Sequence, residues 1–136
     1  DLNLIAIFIA KFINYFSRPN KNCFHFLNGT NSTNQNCELF VSVATLIYFT
    51  ELELKSFIRS LKKNKSFKCL VMHEIFLNEN IFCTKNTLVE ENLNIHSISM
   101  IKEEFGKNYT IEIFRTFYSN WESKERISAI LSIIRK

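Results

Sequence analysis

Glycine and proline are scarce in this chain, and their scarcity limits the folds open to it more than any motif does. The 136 residues include 2 glycines and 1 proline, against 14 phenylalanines. Glycine readily adopts backbone conformations with positive φ, and glycine and proline together favour sharp turns. Tight β-hairpins and glycine-rich phosphate loops are therefore disfavoured, and long helices joined by polar loops are favoured.

Length and composition indicate one globular domain. Of the 136 residues, 46% are hydrophobic and 22% are charged, and a chain of this length can bury a core without metals or disulfides. The bias towards Phe, Ile, Asn and Lys is also typical of an AT-rich genome, which reduces the weight of any lysine cluster. A net charge of +4 permits an acidic or nucleic-acid partner but does not require one. We predict a single domain over residues 1–136.

The most apolar segment is LNLIAIFIAKFINYF, residues 2–16. It is shorter than the roughly 20 residues that span a membrane, and Lys11 interrupts it, so no membrane span is predicted. It also lacks the basic start and the small-residue cleavage site of a signal peptide. We interpret it as a helix that is buried on most sides or docked on a partner, with Phe8 and Phe12 as candidates for partner contacts.

Helical spacing recurs along the rest of the chain. Thr50 and Glu53 have the spacing of a capping box. From Leu54, apolar residues follow at i+3, i+4 and i+7, which predicts a helix from residue 51 with one apolar stripe. A short helix is predicted near 98–105, ended by Gly106.

Several other segments also have apolar residues at helical spacing, and further helices are predicted at 38–49, 67–75, 88–93, 111–121 and 127–134. The alternation over residues 109–113 would fit a short strand, but helical spacing resumes at Phe114. The polar segment at about 27–37 is predicted to be an exposed loop. The sequence thus predicts an all-α fold, a single-domain helical bundle of about six to eight helices.

The cysteines allow two interpretations. They are Cys23, Cys37, Cys69 and Cys83. The first two are fourteen positions apart in the chain, and so are the last two. In a secreted protein these spacings would fit disulfides, although four cysteines can pair in three ways. In a reducing compartment the same residues would be buried thiols. Both interpretations stay open, with an intracellular location favoured and secretion as the alternative.

Asn-X-Ser/Thr sequences bear on the same question. Those at Asn28 and Asn31 lie in the predicted loop, where the side chains would be accessible to N-glycosylation if the protein is secreted.

No motif predicts catalysis. Cys69 and His73 are four positions apart, a spacing at which two side chains on a helix can face one metal ion. No C-x2-C sequence accompanies them, and we predict no metal site. The carboxylates are scattered or adjacent, and no nucleophile elbow or nucleotide-binding loop is recognisable. We predict a protein that is not an enzyme, with no catalytic residue, cofactor or small-molecule substrate.

A basic cluster closes the helix predicted from residue 51. Its members are Arg59, Lys62, Lys63, Lys65 and Lys68. Since the helix dipole favours cations at this end, the cluster could be a solvated helix terminus. The alternative is a contact with RNA phosphates or an acidic protein surface.

Large aromatic side chains provide further candidates for partner contacts. Phe117 and Trp121 belong to a predicted helix with aromatic residues on more than one face, and surplus apolar surface usually indicates a protein interface.

Two functions are therefore considered. The first is a non-enzymatic helical interaction protein, a complex subunit that docks on a larger protein or ribonucleoprotein assembly through apolar helix faces and the basic cluster. A protein partner is expected, and an RNA contact is an option. The alternative is a secreted, disulfide-bonded, N-glycosylated, cytokine-like helical protein.

Overall fold

The computed structural model describes residues 38–81, 86–90, 93–116 and 123–136. The elements are β1 (Leu39–Val43), a 3₁₀ turn (Leu46–Tyr48), α1 (Glu51–Lys63), β2 (Cys69–Leu77), β3 (Thr87–Glu90), β4 (Leu93–His96), α2 (Ile98–Phe105), β5 (Tyr109–Thr116) and β6 (Arg126–Arg135). These residues form a mixed α/β fold, so the predicted all-α helical bundle is wrong. Whether 1–136 forms one domain stays a prediction.

A six-stranded sheet is built around β2. One edge of β2 pairs with antiparallel β6 along its whole length, and β6 pairs in turn with antiparallel β5. The other edge of β2 pairs first with parallel β1 and then, at Phe76, with parallel β4, which forms an antiparallel pair with β3. The strand order is β3-β4-β2-β6-β5, with β1 beside β2.

The helical spacing of the strand sequences is misleading because the central strands are apolar on both faces. In β6 the side chains of Ala129, Leu131 and Ile133 are buried on one face of the sheet, as period-2 alternation requires. Ile130 and Ile134 add apolar residues on the other face, so positions at i+3 and i+4 are apolar as well. A strand that is apolar on both faces reads as a continuous apolar run, which periodicity alone does not separate from a buried helix.

Scarce glycine does not prevent this sheet. The antiparallel strands β3 and β4 are only two residues apart in the chain, with Glu90 paired with Leu93, so the expectation against tight β-hairpins is wrong here. The parallel strands β1 and β2 are joined through a helix, and β5 and β6 through residues 117–125. Among the described residues, positive φ occurs at Gly106 (75°) and at one non-glycine, Ala44 (47°). Gly106 ends α2 as predicted, and its N–H donates to the Lys102 carbonyl oxygen.

The two helices lie on one face of the sheet and supply much of the core. The buried side chains of α1 are Leu54, Phe57, Ile58 and Leu61, which is the stripe predicted from the sequence. Those of α2 are Ile98, Met100, Ile101 and Phe105. Phe67 lies at the centre, fully buried between β1, α2 and β5.

In the described part of the chain, neither helix has the length and apolarity needed to cross a membrane.

The predicted capping box of α1 is present. The Thr50 hydroxyl accepts from the Glu53 N–H, and the Glu53 carboxylate accepts from the Thr50 N–H at 2.8 Å. Thr50→Ala is expected to lower the free energy of unfolding by about 1 kcal/mol because one end of the reciprocal pair is lost. Urea denaturation tests this. Thr50→Ser keeps the hydroxyl and should retain most of the stability, so equal losses in the two variants would contradict the capping role.

Candidate anion-binding cleft

An open cleft of about 450 Å³ lies where the C-terminal end of α1 meets the end of β6 and the start of β5. Its lining residues are Lys62, Lys63, Lys65, Asn108, Tyr109, Arg135 and Lys136. We call these seven residues the basic cleft. The lining includes five cationic side chains, an amide and a phenol, and no acidic side chain, so its side-chain chemistry is that of an anion site.

Arg135 is the fixed element of the basic cleft. Its guanidinium donates to the carbonyl oxygens of Lys62 (2.9 Å) and Lys65 (3.4 Å), which lie at and just beyond the last turn of α1. Two further bonds, of 3.3 and 3.2 Å, reach the Tyr109 hydroxyl. The guanidinium also lies over the rings of Phe67 and Tyr109, at 5.4 and 5.8 Å from their centroids. A cation at a helix C-terminus is favoured by the dipole, and these contacts fix it there.

The lysines of the basic cleft differ in how far they are engaged. Lys62 donates to the backbone oxygen of Glu104, and Lys136 donates to that of Lys107. Lys63 and Lys65 are exposed, and neither has an ion-pair partner among the described residues. The two lysines are therefore available to an external anion.

The structure divides the predicted basic cluster. Lys62, Lys63 and Lys65 share the cleft, whereas Arg59 forms an ion pair with the Glu104 carboxylate at 3.0 Å. Lys68 lies outside the cleft and pairs with Glu38 at 2.6 Å. Both partners of the Lys68 pair are largely exposed, so this pair adds little to stability.

Most of the other predicted site residues lie outside the described residues. They are the partner-contact candidates Phe8, Phe12, Phe117 and Trp121, the glycosylation candidates Asn28 and Asn31, three cysteines (Cys23, Cys37 and Cys83), and the loop at about 27–37. Cys69 is a half-buried free thiol on β2. The disulfide pairing therefore stays a prediction.

Cys69 and His73 cannot face one metal ion in this fold. Both residues lie on β2, and four residues of strand separate their Cα atoms by about 13 Å. The helical geometry that would have brought the two side chains together is absent from this segment. Among the described residues no group of three or more His, Cys, Asp or Glu side chains could hold a metal.

Two buried ionisable side chains anchor the turns around the sheet. The Glu74 carboxylate accepts from the Ser42 hydroxyl at 2.6 Å and from the N–H groups of Thr45 and Leu46 through its Oε1 atom. Burial raises the pKa of Glu74 above its ordinary value. His96 bonds to the Phe49 carbonyl oxygen at 2.9 Å, and burial lowers its pKa. Both groups are engaged in holding the fold together.

The sheet face opposite the helices is partly apolar and exposed. Its exposed members are Leu39, Val41 and Val43 on β1, Phe114 on β5 and Ile134 on β6. This face is distinct from the basic cleft, because the side chains of Tyr109 and Phe114 point to opposite sides of the sheet.

Comparison with known proteins identifies no relative: no described protein family, no curated protein and no solved structure matches the chain.

Sequence reasoning found three residues of the basic cleft and missed four. Arg135 and Lys136 follow the helix predicted at 127–134, and Asn108 and Tyr109 precede the helix predicted at 111–121. Arg135 is more than 70 residues from Lys62 in the chain. Only the pairing of β5 with β6 places Tyr109 opposite Arg135, and no local pattern carries that information.

Proposed function

We propose that this chain is a non-enzymatic interaction domain that docks on an anionic surface of a larger protein or ribonucleoprotein assembly through the basic cleft. The observation that supports the proposal is the convergence of five cationic side chains from two distant segments around a cleft with no acidic side chain in its lining. Amine, guanidinium, amide and phenol groups in this arrangement favour anion binding over bond-breaking chemistry. Both functions considered from the sequence assumed a helical bundle, which the structure contradicts. Secretion, disulfide bonding and N-glycosylation stay predictions.

The ion pairs around the cleft further support this role. The carboxylate of Glu104, the acidic residue that contacts Lys62, is already neutralised by Arg59. Lys63 and Lys65 have no such partner among the described residues. An incoming anion therefore does not have to displace an internal ion pair at these two lysines.

Charge reversal in the basic cleft tests the proposal. The wild-type chain, Lys65→Glu and Lys124→Glu are titrated by fluorescence anisotropy into two labelled polyanions, an RNA duplex and a glutamate-rich peptide. Lys65→Glu is expected to weaken binding to at least one of them by about tenfold or more, since reversal replaces an attraction by a repulsion.

Lys124→Glu is the matched control. It makes the same change in net charge beside the start of β6, about 30 Å along the strand from the basic cleft. Its affinity should stay within about twofold of the wild type at near-physiological salt, where such distances are screened. Equal losses in the two variants would mean that overall charge, rather than the cleft, controls binding, and would overturn the proposal.

A further inference from the structure

We propose that the anion recognised by the basic cleft is the phosphodiester backbone of a nucleic-acid duplex. This inference rests on the proposed function and identifies the partner chemistry for the same site. The contacts of Arg135 leave recognition to the lysines of the cleft, and the character of these lysines and the burial of Tyr109 support a duplex.

The first step concerns the guanidinium. A guanidinium has five N–H donors, and its two-pronged geometry suits a carboxylate or a phosphate. In Arg135, four hydrogen bonds already go to Lys62, Lys65 and Tyr109 acceptors. One N–H group is left, so Arg135 cannot hold a carboxylate or a phosphate with two parallel bonds. Recognition of either anion by an arginine fork is therefore not available in this cleft, and the remaining contacts depend on the lysine amines.

The second step concerns the lysines. Lys62, Lys63, Lys65 and Lys136 present amines, which act as point charges without a fixed planar geometry. Such charges suit a partner whose negative charges are closely and regularly spaced, and release of condensed counterions from a phosphate backbone then drives binding. A backbone of this kind fits the four lysines of the cleft better than isolated carboxylates do.

The third step distinguishes a duplex from a single strand. Proteins that hold single strands usually stack exposed bases on aromatic side chains. The aromatic residue in the basic cleft, Tyr109, is only 8% exposed, and its ring packs against Phe67 and Phe105. The cleft lining therefore offers no stacking platform. A duplex keeps its bases stacked internally and presents only phosphates and sugars, which match what the cleft can contact.

Salt dependence and ligand form test this inference. Binding of the full chain to four labelled ligands is measured by anisotropy between 50 and 200 mM salt: a 16-base-pair RNA duplex, the DNA duplex of the same sequence, one RNA strand alone, and a glutamate-rich peptide of similar charge. For four lysine–phosphate contacts, the slope of log K against log salt for a duplex should be about −3.6. The single strand and the peptide should each bind at least about fivefold more weakly than the better duplex.

Alanine variants test whether the salt dependence of duplex binding comes from the basic cleft. Lys63→Ala/Lys65→Ala should reduce the magnitude of the slope by about 1.8, whereas Lys124→Ala should leave it nearly unchanged. Circular dichroism confirms that the variants are folded. Preference for the RNA or the DNA duplex identifies which backbone is bound, and either preference supports the inference.

Other outcomes separate the two proposals. Peptide binding as tight as duplex binding, lost in Lys65→Glu, would overturn the inference and leave the docking role intact. A single strand that binds as well as the duplexes would also overturn it. Absence of binding to all four ligands would overturn both proposals.

Discussion

Replacing Phe67 with alanine is expected to lower the free energy of unfolding by about 4 kcal/mol. Phe67 is 0% exposed, and loss of a fully buried phenylalanine typically costs about 3–5 kcal/mol through lost transfer energy and the cavity left behind. Urea denaturation of the variant and the wild type measures the effect.

The position of Phe67 explains why the cost should be high. Its ring meets the Phe40 ring edge-on, with 5.7 Å between the ring centroids, and stacks on the Tyr109 ring, with 6.1 Å between the centroids. The Arg135 guanidinium lies over the same ring. One side chain thus joins β1, β5 and the residue that closes the end of α1. Its removal also takes away aromatic and cation–π contacts, each worth about 0.5–1.5 kcal/mol beyond the buried area.

A milder variant keeps this prediction testable if the alanine variant does not fold. Phe67→Leu retains most of the apolar volume and should cost about 1–2 kcal/mol. The alanine variant must be clearly less stable than the leucine variant. A loss below about 1 kcal/mol in Phe67→Ala would show that the site collapses freely and that Phe67 is not central to the core.

The helices were predictable from sequence because their determinants are local. Thr50 and Glu53 satisfy each other's backbone N–H groups within one turn, and Gly106 adopts the positive φ that ends α2. Both signals act over three or four residues, irrespective of what the helix later packs against. Local chemistry was therefore sufficient to identify both helices.

The strands were missed because their determinants are not local. The segments at 69–77 and 126–135 become neighbours along all nine positions of β2, and each supplies the hydrogen bonds and apolar contacts that make the other a strand. Val, Ile and Phe favour strands only in such half-buried or buried surroundings. The alternation over 109–113 was a local indication of a strand, and those residues do belong to β5.

The sequence predicted three lysines of the basic cleft but not which cations remain unpaired, because the ion pairs are long-range. Consecutive lysines after Leu61 are visible in the sequence as a basic helix end, but the sequence does not show which of them become paired. Arg59 and Lys68 are neutralised by Glu104 and Glu38, which lie 45 and 30 positions away in the chain. Long-range pairing, rather than composition, decides which cations remain available.

Replacing Glu74 with alanine is expected to lower the free energy of unfolding by about 3 kcal/mol. The substitution leaves the Ser42 hydroxyl and the N–H groups of Thr45 and Leu46 without their acceptor, in the turn where Ala44 has positive φ. Each buried donor left unpaired costs about 1–3 kcal/mol, partly offset because a buried carboxyl group is removed. Glu74→Gln keeps an oxygen at the same position and should lose far less. Equal losses in urea denaturation would show that the turn does not depend on this acceptor.

The glutamine variant also isolates the titration of Glu74. Burial raises the pKa of Glu74 above 4.5, so between pH 4.5 and its folded-state pKa the folded chain holds a proton that the unfolded chain has released. The free energy of unfolding of the wild type should therefore fall, relative to Glu74→Gln, as pH rises through this window, by about 1.4 kcal/mol for each unit of the pKa increase.

The lowered pKa of His96 acts oppositely, reducing stability as pH falls below 6.5, but both proteins contain His96, so its effect cancels in the difference. Urea denaturation of both proteins from pH 4 to pH 8 gives that difference. A difference that is constant, or that favours the wild type as pH rises, would mean that the bonds from Ser42, Thr45 and Leu46 outweigh burial and that Glu74 stabilises the fold as a carboxylate.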